Sequence, residues 1–145
     1  MRILALDIGK KRIGVAVSDP LGMTAQSLGV IPVKGWRYLM GELKKYILEY
    51  GITELLIGLP RQMSGEIGQS AREVQKIGEK IGVKLGLPVS YWDERLSTAE
   101  ASKLLLSADL SRRRRREAVD KTAAAIILSG YLAFIGSGKK EAPLW

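Results

Sequence analysis

The sequence predicts an α/β domain built on a mixed sheet of five strands, three antiparallel and then parallel, flanked by helices. Three observations carry that expectation. Short apolar runs of strand character come first in a group, then alternate with longer segments of helical periodicity. The first two runs are separated only by Gly9-Lys10-Lys11, a link that suits a hairpin. The chain has 145 residues, 46% of them hydrophobic, which suits one compact domain with a full core.

Residues 2–8 read as a strand with the near-continuous apolar character of a central one. Residues 12–18 (RIGVAVS) follow as a second, and Asp19-Pro20-Leu21-Gly22 is a turn. A third strand is expected within residues 26–33, completing an antiparallel meander. Trp36, Leu39, Met40, Leu43, Ile47 and Tyr50 fall at helical spacing, so residues 36–50 should form an amphipathic helix that Gly51 stops. Residues 53–57 (TELLI) make a fourth strand, ending at Gly58-Leu59-Pro60.

A second helix is expected over residues 65–85, with Ile67, Ala71, Val74, Ile77, Ile81 and Leu85 as its stripe and Gly86 and Pro88 as its end. The fifth strand is residues 88–93. Ser97-Thr98-Ala99-Glu100 is a capping box that should open a short helix to about residue 106. An arginine-rich segment precedes a final helix over residues 115–134. The domain should occupy residues 1–135, with 136–145 (GSGKKEAPLW) as a flexible tail.

Composition narrows the chemistry. The net charge is +8 and the pI about 9.8, which favours a polyanionic partner, most simply nucleic acid. The chain has no His and no Cys, so imidazole bases and thiolate nucleophiles are excluded. No apolar run approaches a membrane span, and the N-terminus lacks the long apolar region of a signal peptide, so a cytoplasmic location is expected.

Acidic residues stand in apolar settings at three places. Asp7 ends the run Ile3-Leu4-Ala5-Leu6, and Asp93-Glu94 ends the run Val89-Ser90-Tyr91-Trp92. Asp120 precedes Ala123 and Ala124 by three and four residues, so it shares their face of the last helix, where small alanines allow close approach to the sheet. A charge in an apolar setting is costly unless it is paired or bound to metal. Asp7 is also an ordinary turn residue at a strand end, Asp93-Glu94 has Arg95 as a local ion partner, and Asp120 suits a helix start. Taken together, the three places point to one shared site for a hard cation, Mg²⁺ or Mn²⁺, with water activated for hydrolysis.

LALDIGKKRIGVAVSD, GLP followed by a Met-x-Gly turn, WDERLST and VDKTAAAIIL occur in this order. With these motifs the chain resembles the YqgF family of bacterial proteins, described both as Holliday junction resolvases and as pre-16S rRNA nucleases. The resemblance runs from Arg2 to about Leu132. It implies an RNase H-like fold, divalent-metal dependence and trimming of ribosomal RNA precursors during ribosome assembly. The family's acidic positions fall on Asp7, on the Asp93-Glu94-Arg95 motif and on Asp120. Strand alternation lets only one of Asp93 and Glu94 face the site while the strand continues, and Glu94 is favoured for its reach, with Asp93 second. The turn after GLP departs from the family, reading Arg61-Gln62-Met63-Ser64-Gly65 where members often carry Asn and Asp.

Lys10, Lys11 and Arg12 follow Asp7 on one hairpin and suit substrate phosphates, although a solvated hairpin tip is common. Arg61, ahead of a helix start, is a further phosphate candidate, and Arg95 is placed to bridge carboxylates or contact the scissile phosphate. Arg112, Arg113, Arg114, Arg115 and Arg116 form a run beside the Asp120 helix that favours nucleic-acid contact without distinguishing RNA from DNA. Trp36 and Trp92 read as packing residues. The expected function is a metal-dependent endonuclease acting in 5′ processing of pre-16S rRNA, with assembling ribosomal particles as partners and a monomer or homodimer as its form. A Holliday junction resolvase, working as a dimer, is one alternative; a non-catalytic RNA-binding assembly factor is another. An ATPase ranks last, because sugar-kinase-like sites close two such domains around a nucleotide.

Overall fold

Five strands hydrogen-bond in the spatial order β3-β2-β1-β4-β5 in a computed structural model that describes residues 1–60, 68–94 and 123–136. The strands are β1 (Ile3–Ile8), β2 (Arg12–Ser18), β3 (Ala25–Pro32), β4 (Glu54–Leu59) and β5 (Val89–Asp93), and the helices are α1 (Trp36–Tyr50), α2 (Gln69–Leu85) and α3 (Ala123–Gly136). β1 to β3 are antiparallel neighbours; β4 and β5 join parallel to β1, as expected. The predicted short helix over residues 97–106 and the start of the last helix at residue 115 lie outside the described residues, as does the expected tail 136–145 except Gly136, which is the last residue of α3.

Two of the boundaries that differ from expectation have a clear physical reason. β4 continues through Gly58 to Leu59, because Gly58 and Leu59 find partners in Trp92 and Asp93 of β5. Sheet pairing there overrides glycine's weak strand preference. α2 starts at Gln69 and not at residue 65, because Gly68 is extended and serves as its N-cap. Gly51 and Gly86 end α1 and α2 in the left-handed conformation, as their positions predicted.

Alternation along each strand divides the core. Leu4, Leu6, Val15, Leu55 and Ile57 point to one side of the sheet, where Leu43 of α1 and Ile81 of α2 cover them. Ile3, Ala5, Ala16, Leu56 and Trp92 point to the other, against Ala124, Ile127 and Leu128 of α3. Trp92 is a packing residue, as read from sequence, and its ring meets Tyr131 edge-on at 5.9 Å. At the lower end of the sheet Arg2 gathers the chain, donating from Nε to the Ser18 carbonyl at 3.0 Å and from Nη1 to the Tyr50 carbonyl at 3.2 Å. The second bond satisfies a carbonyl that the end of α1 leaves without an intrahelical partner. The opposite edge, where the parallel strands end, is the one that carries the acidic residues. Among the described residues no helix is long and apolar enough to cross a membrane.

Candidate active site

Asp7 follows Ile3 and Ala5 on alternate positions of β1, so its side chain emerges on the α3 side at the strand's C-terminal end. Its antiparallel partner on β2 is Gly14. A Cβ placed on Gly14 would stand 3.6 Å from the Asp7 Cβ and 3.7 Å from the Ala124 Cβ. Gly14 thus serves close packing of sheet, acid and helix. The small alanines of α3 do what their size predicted: the Ala124 backbone nitrogen lies 4.0 Å from that same point.

On β5, Trp92 packs on the α3 side, so Asp93 turns away and Glu94, one residue past the strand, returns to it. There the Glu94 side chain hydrogen-bonds Asp7. The two acids come from β1 and from the end of β5, with β4 between them. They meet because β4 carries Gly58 at the crossing. A Cβ on Gly58 would lie 2.8 Å from Glu94 Oε1 and 2.5 Å from Ile127 Cδ1.

Burial pushes the Glu94 carboxyl up to about 8, with further upward contributions from its hydrogen bond to Asp7 and from the negative charges of Asp7 and Asp93. The Glu94 carboxyl therefore holds its proton at neutral pH when no cation is bound beside it. Asp93 is itself 3% exposed, on the side of the sheet away from the pair. Of the sequence-predicted acids, the described residues therefore bring Asp7 and Glu94 together, with Asp93 adjacent and turned from them. Asp120 lies outside the described residues, and no group of three or more potential metal-binding side chains occurs within them.

The hairpin that follows Asp7 is closed by the Gly9 amide donating to the Arg12 carbonyl at 3.0 Å. Lys10, Lys11 and Arg12 are exposed on it, at the same edge as the acids. Arg61, Arg95 and Arg112 to Arg116 fall outside the described residues. Sequence reasoning names Gly58-Leu59-Pro60 only as a third strand end that could line the same edge, and gives Gly58 no role of its own. Its signal was present in the GLP ending of the fourth strand, but that Glu94 crosses it follows only from the β4–β5 register.

A five-stranded mixed sheet of this order, with acids gathered at the ends of its first and last strands, defines an RNase H-like protein. The fold matches that of RuvC from T. thermophilus in complex with a Holliday junction substrate, with a TM-score of 0.62 at 11% identity over 97% of this chain and 98% of that one. A second Thermus thermophilus RuvC structure matches with a TM-score of 0.56 at 12% identity, over 99% and 100% of the two chains. At such identity the likeness is one of fold. The chain belongs to the RuvX family, whose model, described as Holliday junction resolvase, matches residues 1–133. A Moorella thermoacetica relative named "Putative pre-16S rRNA nuclease" is 48% identical over 136 residues, 94% of this chain and 97% of that protein. A Pelotomaculum thermopropionicum relative of the same name is 47% identical over 143 residues, 98% and 93% of the two. These matches establish the family that the motifs suggested, and with it a nuclease, a hydrolase of phosphodiester bonds.

Proposed function

We propose that Asp7 and Glu94 bind a divalent cation, Mg²⁺ or Mn²⁺, and that the protein hydrolyses a phosphodiester bond in the 5′ processing of pre-16S rRNA, in the cytoplasm, during ribosome assembly. The observation that carries this reading is the meeting of the two carboxyl groups across Gly58. The donor set fits a hard cation: oxygen ligands only, partly buried, with the Glu94 carboxyl kept protonated by burial and by its acidic neighbours and so ready to exchange its proton for a metal. When bound, such a cation supplies an activated water and neutralises charge on the scissile phosphate.

The protein's own part is positional. β1 and β5 hold the two carboxylates at fixed separation, and the Trp92–α3 packing fixes the backbone from which Glu94 leaves. Lys10, Lys11 and Arg12 take flanking phosphates beside them. Asp120, three residues ahead of α3 in sequence, completes the acidic set, and Asp93 is the alternative ligand on β5. Arg61, Arg95 and the run Arg112 to Arg116 contact the substrate backbone, all within a single domain over residues 1–135.

The test is cleavage of two end-labelled substrates, a pre-16S rRNA 5′ fragment and a four-way DNA junction, with Mn²⁺, with EDTA and with the Asp7→Asn protein. Cutting of the RNA alone that needs metal and Asp7 is the expected result. The family description favours one second reading, a junction resolvase, which requires a dimer and paired symmetric cuts in the junction. No cutting of either substrate by the wild type, on naked RNA or on assembling ribosomal particles, would leave a non-catalytic assembly factor.

A further inference from the structure

One basic surface lies away from the carboxylates. Arg72, Lys76, Lys80 and Lys84 recur every fourth residue along α2, and all four are exposed. At this spacing they form one ridge, about 18 Å long from first to last at 1.5 Å per residue. Like charges four apart destabilise a helix by roughly 0.2–0.5 kcal/mol per pair unless something neutralises them. None of the four makes an ion pair among the described residues.

The ridge borders a groove of about 560 Å³ lined by Trp36, Lys76, Glu79, Lys80, Val83 and Lys84. Lys80 Nζ sits 4.4 Å from the centre of the Trp36 ring, and Val83 is 85% exposed. Cations, an aromatic face and an exposed apolar side chain thus share one open groove, with Glu79 the one acid among its described lining residues. α2 is reached from the C-terminal end of β4, so Arg72 lies toward the edge that carries the acids and Lys84 away from it. α2 nevertheless covers the sheet face opposite α3, so the ridge is no part of the Asp7–Glu94 centre.

We propose that this ridge and groove are a second RNA-binding track, which holds the sugar–phosphate backbone of substrate RNA where it runs off the catalytic edge. The charge matches a polyanion, and single-stranded nucleic acid is held by just such a pairing of cations with an aromatic or apolar surface. A second copy of this chain, at +8, has the wrong charge for the surface. The proposal builds on the nuclease reading but is testable apart from it.

Binding of a fluorescein-labelled pre-16S rRNA 5′ fragment, and of a DNA strand of the same sequence, is followed by anisotropy against salt in EDTA. Wild type is compared with K76Q/K80Q and with K44Q/K45Q, which removes the same charge from exposed lysines of α1. Removing two backbone contacts should make the slope of log K against log salt shallower by roughly 1.4, and weaken binding on the order of 20-fold at 0.1 M salt. K44Q/K45Q should retain the wild-type slope. Equal slopes for the two double variants, a loss confined to DNA, or no RNA binding by wild type would each overturn the track. Cleavage plays no part in this readout, so an inactive protein whose ridge variant loses RNA affinity would sink the nuclease reading and leave the track standing.

Discussion

The Glu94 carboxyl oxygen lies 2.8 Å from the point where a Cβ on Gly58 would stand. The absence of a side chain on β4 is therefore what lets an acid beyond β5 reach an acid on β1. The same missing atom would meet Ile127 Cδ1 at 2.5 Å, so Gly58 also sets how closely α3 lies on the sheet. Both neighbours are ends of movable side chains. Gly58→Ala should accordingly cost only about 1–2 kcal/mol of stability while lowering cleavage at least tenfold. Thermal melting and single-turnover cleavage of the same preparation separate the two effects; full activity in a well-folded variant would refute the crossing as a requirement.

Without metal, the folded protein keeps on Glu94 a proton that the unfolded chain, with an ordinary carboxyl near 4.5, has released. The folded state binds more protons in that interval. Its contribution from Glu94 is therefore fully present below about 4.5 and is lost as pH rises to about 8. Glu94→Gln removes the dependence, so in EDTA the variant should be more stable than wild type at pH 8, by a few kcal/mol at most. Urea melts at pH 5 and pH 8 measure it. A wild type whose stability is flat over that interval would contradict the buried pair.

If a cation replaces that proton, as proposed, Mn²⁺ or Mg²⁺ should bind more tightly as pH rises toward 8 and should raise the melting temperature more at pH 8 than at pH 6. Asp7→Asn should abolish the rise and lower cleavage by roughly 10²-fold or more, through loss of charge at the centre. Calorimetric titration of metal into the two proteins decides this independently of any substrate.

Asp93 and Glu94 separate by face. Asp93→Asn should keep metal affinity within a few-fold, because Asp93 lies on the other side of the sheet, whereas Glu94→Gln should lose at least tenfold. If the two variants lose metal equally, Asp93 is also a ligand and strand alternation does not hold to the end of β5.

Trp92→Ala should destabilise by about 3–5 kcal/mol, since the ring is 4% exposed and packs against Tyr131 and Phe134. Because Glu94 departs two residues later, residual folded protein should also cleave poorly. Activity per folded molecule, counted by near-UV circular dichroism, checks the second part.

Much of this protein is legible in one dimension because its signals are local. Strand runs of period two, the 3.6-residue stripe of α1 and the glycine stops at Gly51 and Gly86 are each readable within a few turns of chain. So are the motifs from LALDIGKKRIGVAVSD to VDKTAAAIIL that mark the family. Asp7 and the Asp93-Glu94 pair stand out because a carboxylate ending an apolar run is locally anomalous. The basic ridge on α2 has an equally local period, but exposed lysines on a helix are common, and only the fold sets them beside Trp36 in one groove.

Tertiary structure alone decided which acids meet. The sequence by itself determined that carboxylates would stand at the ends of β1 and β5, since strand ends and alternation are properties of each segment. It did not determine that β4 would lie between them, nor that residue 58 would fall under Glu94. Those follow from the parallel register Gly58↔Trp92, which pairing across the sheet sets. The upward shift of Glu94 is likewise a property of the assembled site, because burial and a neighbouring charge exist only once β1, β4, β5 and α3 have come together.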